Sequence, residues 1–186
     1  MQNIREVTET ARRVTNQISE DIRSANVGGS VNSVGYKNGL ALFSCNLVSC
    51  SPADNKASGD VNANTNTNTL VIFNKDSSGN IKSKIYYSNH VQGYLYYFEA
   101  GSSVDNLFST ISLPTNIIAG NSTVADIYAV NMSANVSFCG FAPDDSVEIK
   151  QQPYISFTTD VKTRNNSPQQ IAGTTLQTTV TSRSYK

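Results

Sequence analysis

The chain of 186 residues contains no tryptophan, one histidine and three cysteines, and charged residues make up only 15% of it. Cys45 and Cys50 are not spaced as a CxxC pair, and with a single histidine in the chain a structural zinc site is not expected. His90 stands apart from any nucleophile motif of the GxSxG kind, so hydrolysis built on it is not expected. Lysine plus arginine equals aspartate plus glutamate at 14 each, which leaves no net field to draw in nucleic acid or an anionic membrane. No apolar run approaches the ~18 residues that cross a bilayer as a helix, and the opening MQNIREV lacks the apolar core of a signal peptide. A glycine-rich phosphate loop is also missing, because Gly28-Gly29 follows a helical pattern instead of opening one.

Charge is densest at one end, where the first 25 residues hold 8 of the 28 charged side chains. Ile4, Val7, Ala11, Val14, Ile18, Ile22 and Ala25 recur at spacings of three and four, which draws a narrow apolar stripe along a helix. Between them lie Arg5, Glu6, Glu9, Arg12, Arg13, Glu20, Asp21 and Arg23. With no proline or glycine in the stripe, one continuous helix is predicted over residues 3–25. Gly28-Gly29 then supplies residues that accept the left-handed conformation common after a helix. A helix of 25 residues is about 37 Å long, more than a sheet of short strands covers. The expectation is that Ile18 and Ile22 are buried against the sheet and that Ile4 and the first turns protrude.

Beyond Gly29 the composition turns to Ser, Thr and Asn and the patterning turns to β. The length suits one domain plus an appendage, since a domain of about 150 residues buries roughly 70% of the surface its unfolded chain exposes. The expected division is a helix at 1–27 and a β-rich head at 28–186. Runs of strand length are LALFSCNLV (40–48), LVIFNK (70–75), IKSKIYYS (81–88) and GYLYYFEAG (93–101), the middle two joined by a DSSGN turn as a hairpin. Residues 105–118 continue in mixed form, 125–142 read as one or two strands, and 152–163 and 174–185 close the chain as strands. Between 51 and 69, Pro, Gly, Asp, Asn and Thr crowd out apolar residues, which predicts a long mobile surface loop. The fold class is α+β, an N-terminal helix packed along an antiparallel sheet.

Candidate chemistry is sparse. Tyr86, Tyr87, Tyr94, Tyr96, Tyr97 and Phe98 could offer bases or sugars a stacking platform, but antiparallel strands favour aromatics in any case and Lys82 and Lys84 are the only nearby cations. Cross-strand packing is the primary reading. Asp144-Asp145 and the turn from Asp76 to Asn80 carry oxygens that suit calcium without the ligand spacing of a known loop, and read as ordinary polar turns. Glycosylation sequons begin at Asn121, Asn131 and Asn135. Cys45, Cys50 and Cys139 allow one disulfide or three reduced thiols. If a disulfide forms, the short connection favours Cys45 with Cys50. Nothing calls for a cofactor or a metal, and no catalytic constellation is present, so a role other than catalysis is expected.

An arginine-containing amphipathic helix that ends in Asp21-Ile22-Arg23-Ser24-Ala25, followed by a β meander with a Tyr-rich strand and the carboxy-terminal run Thr174 to Arg183, resembles the minor pilins and pseudopilins of type IV pili and type II secretion systems. The J-type or W-type minor subunit is the nearest pattern. The resemblance implies a non-catalytic subunit that helps to initiate or cap a filament at the cell envelope, with other pilin-like subunits as partners. Ile4, Val7, Ala11 and Val14 would then contact a helix bundle, with Ile18, Ile22 and Ala25 buried against the head. Such proteins also carry a basic leader, a cleavage site and an apolar helical half that anchors them in the membrane; none of these is present, which reads as a chain cut inside the long helix. The alternative is a binding module, a pilus-tip adhesin or DNA-uptake subunit that uses residues 51–69 or the tyrosine cluster.

Overall fold

The structure, a computed structural model, describes residues 2–36, 39–52, 62–89, 91–112, 116–120, 125–135, 154–163 and 172–182. It is an α+β arrangement of an N-terminal helix against antiparallel sheets. Helix α1 (Gln2–Ser24) is uninterrupted. It ends where a strand takes over its backbone: Asn26 donates its N–H to the Phe73 carbonyl at 3.4 Å and accepts the Lys75 N–H on Oδ1 at 3.1 Å. The expected left-handed glycine cap is not what stops it, since positive φ among the described glycines belongs to Gly39, Gly79, Gly93 and Gly120. Gly29 serves a close approach instead. A Cβ there would lie 2.2 Å from the Phe73 ring, so the backbone passes over that ring only without a side chain.

Three sheets follow. The smallest comprises β1 (Gly29–Val31), β2 (Val34–Tyr36) and β9 (Ser103–Val104) in the order β2-β1-β9. The central sheet is built from β3 (Leu40–Cys45), β4 (Cys50–Pro52), β6 (Thr69–Lys75), β7 (Ile81–Asn89), β8 (Tyr94–Ala100) and β10 (Ile117–Ala119), ordered β10-β8-β7-β6-β3-β4 and antiparallel throughout. The third holds β5 (Asn62–Thr67), β11 (Ala125–Asn135), β12 (Tyr154–Thr163) and β13 (Gly173–Thr181), ordered β13-β12-β11-β5 and also antiparallel. A short helix, α2 (Leu107–Ile111), is capped by Asn106, whose side chain accepts the Ser109 N–H.

Side-chain alternation explains the layers. In β12, Ile155, Phe157, Thr159 and Val161 are buried while the residues between them are half-buried or exposed, the period-2 pattern of a strand with one covered face. That face meets α1, where the Thr15 and Thr159 hydroxyls lie 3.2 Å apart. In the central sheet the register aligns Leu42, Leu70 and Tyr86, and Tyr86 bonds Asp21 of α1. The opposite face carries Phe43, which packs edge-on against Tyr36 of β2 with ring centroids 6.1 Å apart, and Phe73 beneath Gly29. Helix α1 therefore lies between the central and third sheets and shares one core with both.

Two sequence expectations change here. The Asn/Thr alternation inside the expected 51–69 loop is in part strand β5, paired with β11, and Asn68 and Thr69 are buried. β-Branched threonine suits a pleated ladder even without apolar neighbours. Asn68 is fully satisfied where it is buried: Oδ1 accepts the Cys45 N–H at 2.8 Å, and Nδ2 donates to the carbonyls of Cys45 at 2.7 Å and Ser88 at 3.1 Å. Residues 53–61 lie outside the described residues. Secondly, residues 105–118, read as mixed, contain α2 and the edge strand β10.

Candidate functional site

The stripe on α1 divides differently from expectation. Val7, Ala11 and Val14, assigned to a helix bundle, are 1%, 0% and 0% exposed against the chain's own sheets, as are Ile18, Ile22 and Ala25 at 0% each. The third sheet reaches farther along the helix than a sheet of short strands would, because β12 and β13 run for 10 and 9 residues. Of the proposed assembly residues only Ile4, at 62% exposure, faces solvent. The outer face of α1 is charged: Arg5 pairs with Glu9 at 2.8 Å, and Arg13 donates to the Ile118 carbonyl at 2.9 Å.

The far end of the helix is locked to the central sheet by Asp21. Its Oδ1 accepts from Lys84 Nζ at 2.6 Å and its Oδ2 from the Tyr86 hydroxyl at 2.5 Å. Burial, then the hydrogen bond to Asp21, pushes the Tyr86 phenol far above its ordinary value. Tyr97, cross-strand from Tyr86, is also pushed up, first by burial and then by its bond to Glu99 at 2.6 Å. Ala25 completes the lock, since its carbonyl accepts the Ser182 hydroxyl at 3.0 Å while its methyl is fully buried. Within Asp21-Ile22-Arg23-Ser24-Ala25, therefore, the aspartate anchors, Ile22 and Ala25 pack, and Arg23 and Ser24 remain exposed.

A second feature lies at one end of the central sheet, where a groove of about 190 Å³ opens between two turns and α2. One wall is the turn between β3 and β4, closed by a Cys45–Cys50 disulfide and by Asn46, whose Oδ1 accepts the N–H groups of Val48 and Ser49 at 2.7 and 2.8 Å. The turn between β7 and β8 forms another wall. There Asn89 Oδ1 accepts from the Val91 and Gln92 N–H groups at 3.1 Å each, and Gln92 Oε1 accepts from Asn89 Nδ2 at 3.1 Å and the Tyr96 hydroxyl at 2.7 Å. Tyr87 and Tyr96 stack at 5.9 Å along the floor, and Phe108, Ile111 and Ser112 contribute from α2 and its end. Burial raises both of these phenols above their ordinary value.

The tyrosine cluster is thus mostly core, with part of it turned to a concavity. Sequence reasoning missed Asn46 and Gln92, although asparagine before a tight turn, as at Asn46 and Asn89, signals side-chain capping. Asp76 is likewise committed to its hairpin: Oδ1 accepts from Ser78 and Asn80 N–H at 2.9 Å each. The backbone bond from Asn80, foremost, holds that carboxyl below its ordinary value. His90, Cys139, Asp144 and Asp145 lie outside the described residues, as does the sequon at Asn121. Among the described residues no three His, Cys, Asp or Glu side chains gather where they could hold a metal ion, and no helix is long and apolar enough to cross a membrane. No protein-family profile, no curated protein and no solved structure matches this chain.

Proposed function

We propose that this chain is a non-catalytic minor subunit of a type IV pilus-like or type II secretion filament, acting at the cell envelope by contact with other pilin-like subunits. The observation that carries the reading is the helix α1, laid along antiparallel sheets and fastened at its Asp21–Ala25 end, with Ile4 exposed at the opposite end. A subunit of this kind needs a helix fixed rigidly to its head, so that one end presents an apolar contact while the head stays in register. The Asp21 lock supplies the fixing. Contacts with neighbours fall to Ile4 and to the charged outer face of α1, and anchoring in the membrane before assembly belongs to an apolar helical segment continuing the axis of α1.

The test uses the complete gene in its host. Deletion is expected to lower filament number or secretion, and a tagged copy is expected to co-purify with sheared filaments. A cysteine at Ile4 should cross-link to another pilin-like subunit, and a cysteine at the buried Ala11 should not. Unchanged filaments and secretion after deletion would overturn the reading, as would turnover of a substrate by the purified chain.

A further inference from the structure

We propose that the groove between the β3–β4 turn, the β7–β8 turn and α2 binds the terminal sugar ring of a neutral glycan. Among the described residues no charged side chain lines it, which disfavours phosphates, sialic acids and nucleic acid strands, all of which need cations near their charge. Its polar side chains are three amides, two phenols and the Ser112 hydroxyl, and those of Asn89, Tyr96 and Ser112 already bond within the chain. Asn46 Oδ1 and Gln92 Oε1 are each occupied by two internal donors, so it is their NH2 groups that remain without a partner among the described residues. The Tyr87 hydroxyl remains in the same state, and each NH2 brings two donors. These groups sit beside the apolar surfaces of Leu47 and Phe108.

A pyranose matches that combination. Its hydroxyl oxygens accept from fixed amide donors while its C–H face packs on an apolar wall, and ligand sites in general pair a mostly apolar concavity with a few placed polar groups. The volume, about 190 Å³, has room for one ring and not for an extended chain. A proline-rich peptide fits less well, because polyproline recognition uses a row of aromatic clefts along several residues, and this is one compartment. The rim points the same way. Of the four exposed large apolar residues described, Leu47, Val48 and Val91 stand on the two turns that flank the groove, where they can meet the sugars that follow the terminal one. Because the disulfide and the asparagine-capped turns fix the walls beforehand, little ordering is needed on binding.

The purified chain, labelled with nitrogen-15, is titrated with neutral methyl pyranosides of gluco, galacto, manno and N-acetylglucosamine configuration and screened on an array of neutral glycans. The expected result is a saturable shift of the Asn46 and Gln92 side-chain amide signals by at least one of them. Gln92→Glu keeps the acceptor for Tyr96 and Asn89 but removes the donors, and Tyr87→Phe removes only a hydroxyl; each should weaken binding about tenfold with the remaining spectrum unchanged. No shift at millimolar sugar and no array binding would overturn the proposal. So would sugar binding that both variants leave intact, or selective binding of a proline-rich peptide in the groove. Binding is read on the isolated chain, so the outcome is independent of whether the filament reading stands.

Discussion

Replacing Asp21 with alanine removes the one group that ties the end of α1 to both Lys84 and Tyr86. Two limits bracket the cost. An exposed ion pair contributes about 0–1 kcal/mol, whereas removing one member of a fully buried pair costs about 3–5 kcal/mol. The Asp21 and Lys84 side chains are 15% and 27% exposed, so Lys84 can turn its ammonium to water along its flexible stem once the partner is gone. Tyr86 has no such escape, being fully buried: the Gln17 side chain still reaches its hydroxyl, but the proton loses its acceptor, and a buried donor left without one costs about 1–3 kcal/mol. Asp21→Ala is therefore expected to destabilise the chain by about 2–3 kcal/mol, a fall in Tm of about 5–10 °C at this chain length. Asp21→Asn keeps an acceptor for the Tyr86 hydroxyl and loses only the ion pair, about 1 kcal/mol. Urea unfolding at neutral pH, followed by circular dichroism, measures both. A loss below about 0.5 kcal/mol for Asp21→Ala, the range of ordinary surface changes, would refute the lock, and so would equal losses for the two variants.

Alkaline pH tests the same region from the other side. Because the folded values of Tyr86 and Tyr97 lie above the ordinary 10.0, the folded chain keeps protons that the unfolded chain releases; this stabilisation is complete below pH 10 and is lost as pH rises beyond it. Tyrosinate absorbance should show these phenols ionising only as the chain unfolds, and ordinary titration of all nine tyrosines in the folded chain would contradict their burial. The stripe gives a paired prediction. Val7→Glu, at 1% exposure, should cost about 3 kcal/mol or more by placing an unpaired carboxylate in the core, while Ile4→Glu, at 62% exposure, should change stability by under about 0.5 kcal/mol. Matching melting temperatures for the two would show that the first turns do not pack as described.

Elements with a periodic apolar pattern were legible in the sequence. The helix at Gln2–Ser24, the hairpin of β6 and β7, and β8 and β12 fall within a residue or two of their expected bounds, because in each the pattern is strong over most of the element. Strand β5 was not legible, since NANTNT carries no apolar alternation and its place in the sheet is set by β11 beside it. The Gly28-Gly29 pair was legible as a helix end and misleading as to cause: a sequence shows that glycine is present, not whether φ or a neighbouring ring requires it. The groove was legible only as a tyrosine cluster. Its amide donors come from turns about 45 residues apart, Asn46 and Gln92, and which of their atoms is left over depends on hydrogen bonds that no local pattern encodes.

The stripe on α1 shows most plainly where sequence reading stops, and what the structure then implies for assembly. Period and hydrophobicity establish that a face must be covered, but the same seven residues would serve a bundle of neighbouring helices or the chain's own sheets equally well. The length of β12 and β13 decides for the sheets from Val7 onward. If α1 then meets other subunits, apolar contact is confined to the Ile4 end, and along the rest a neighbour faces Arg5, Glu9 and Arg12, all exposed. Exposed charge pairs contribute about 0–1 kcal/mol each and are screened over about 8 Å at physiological ionic strength. Association through this face is accordingly weak and salt-sensitive on its own, and the filament proposed above would have to draw most of its cohesion from contacts other than this face.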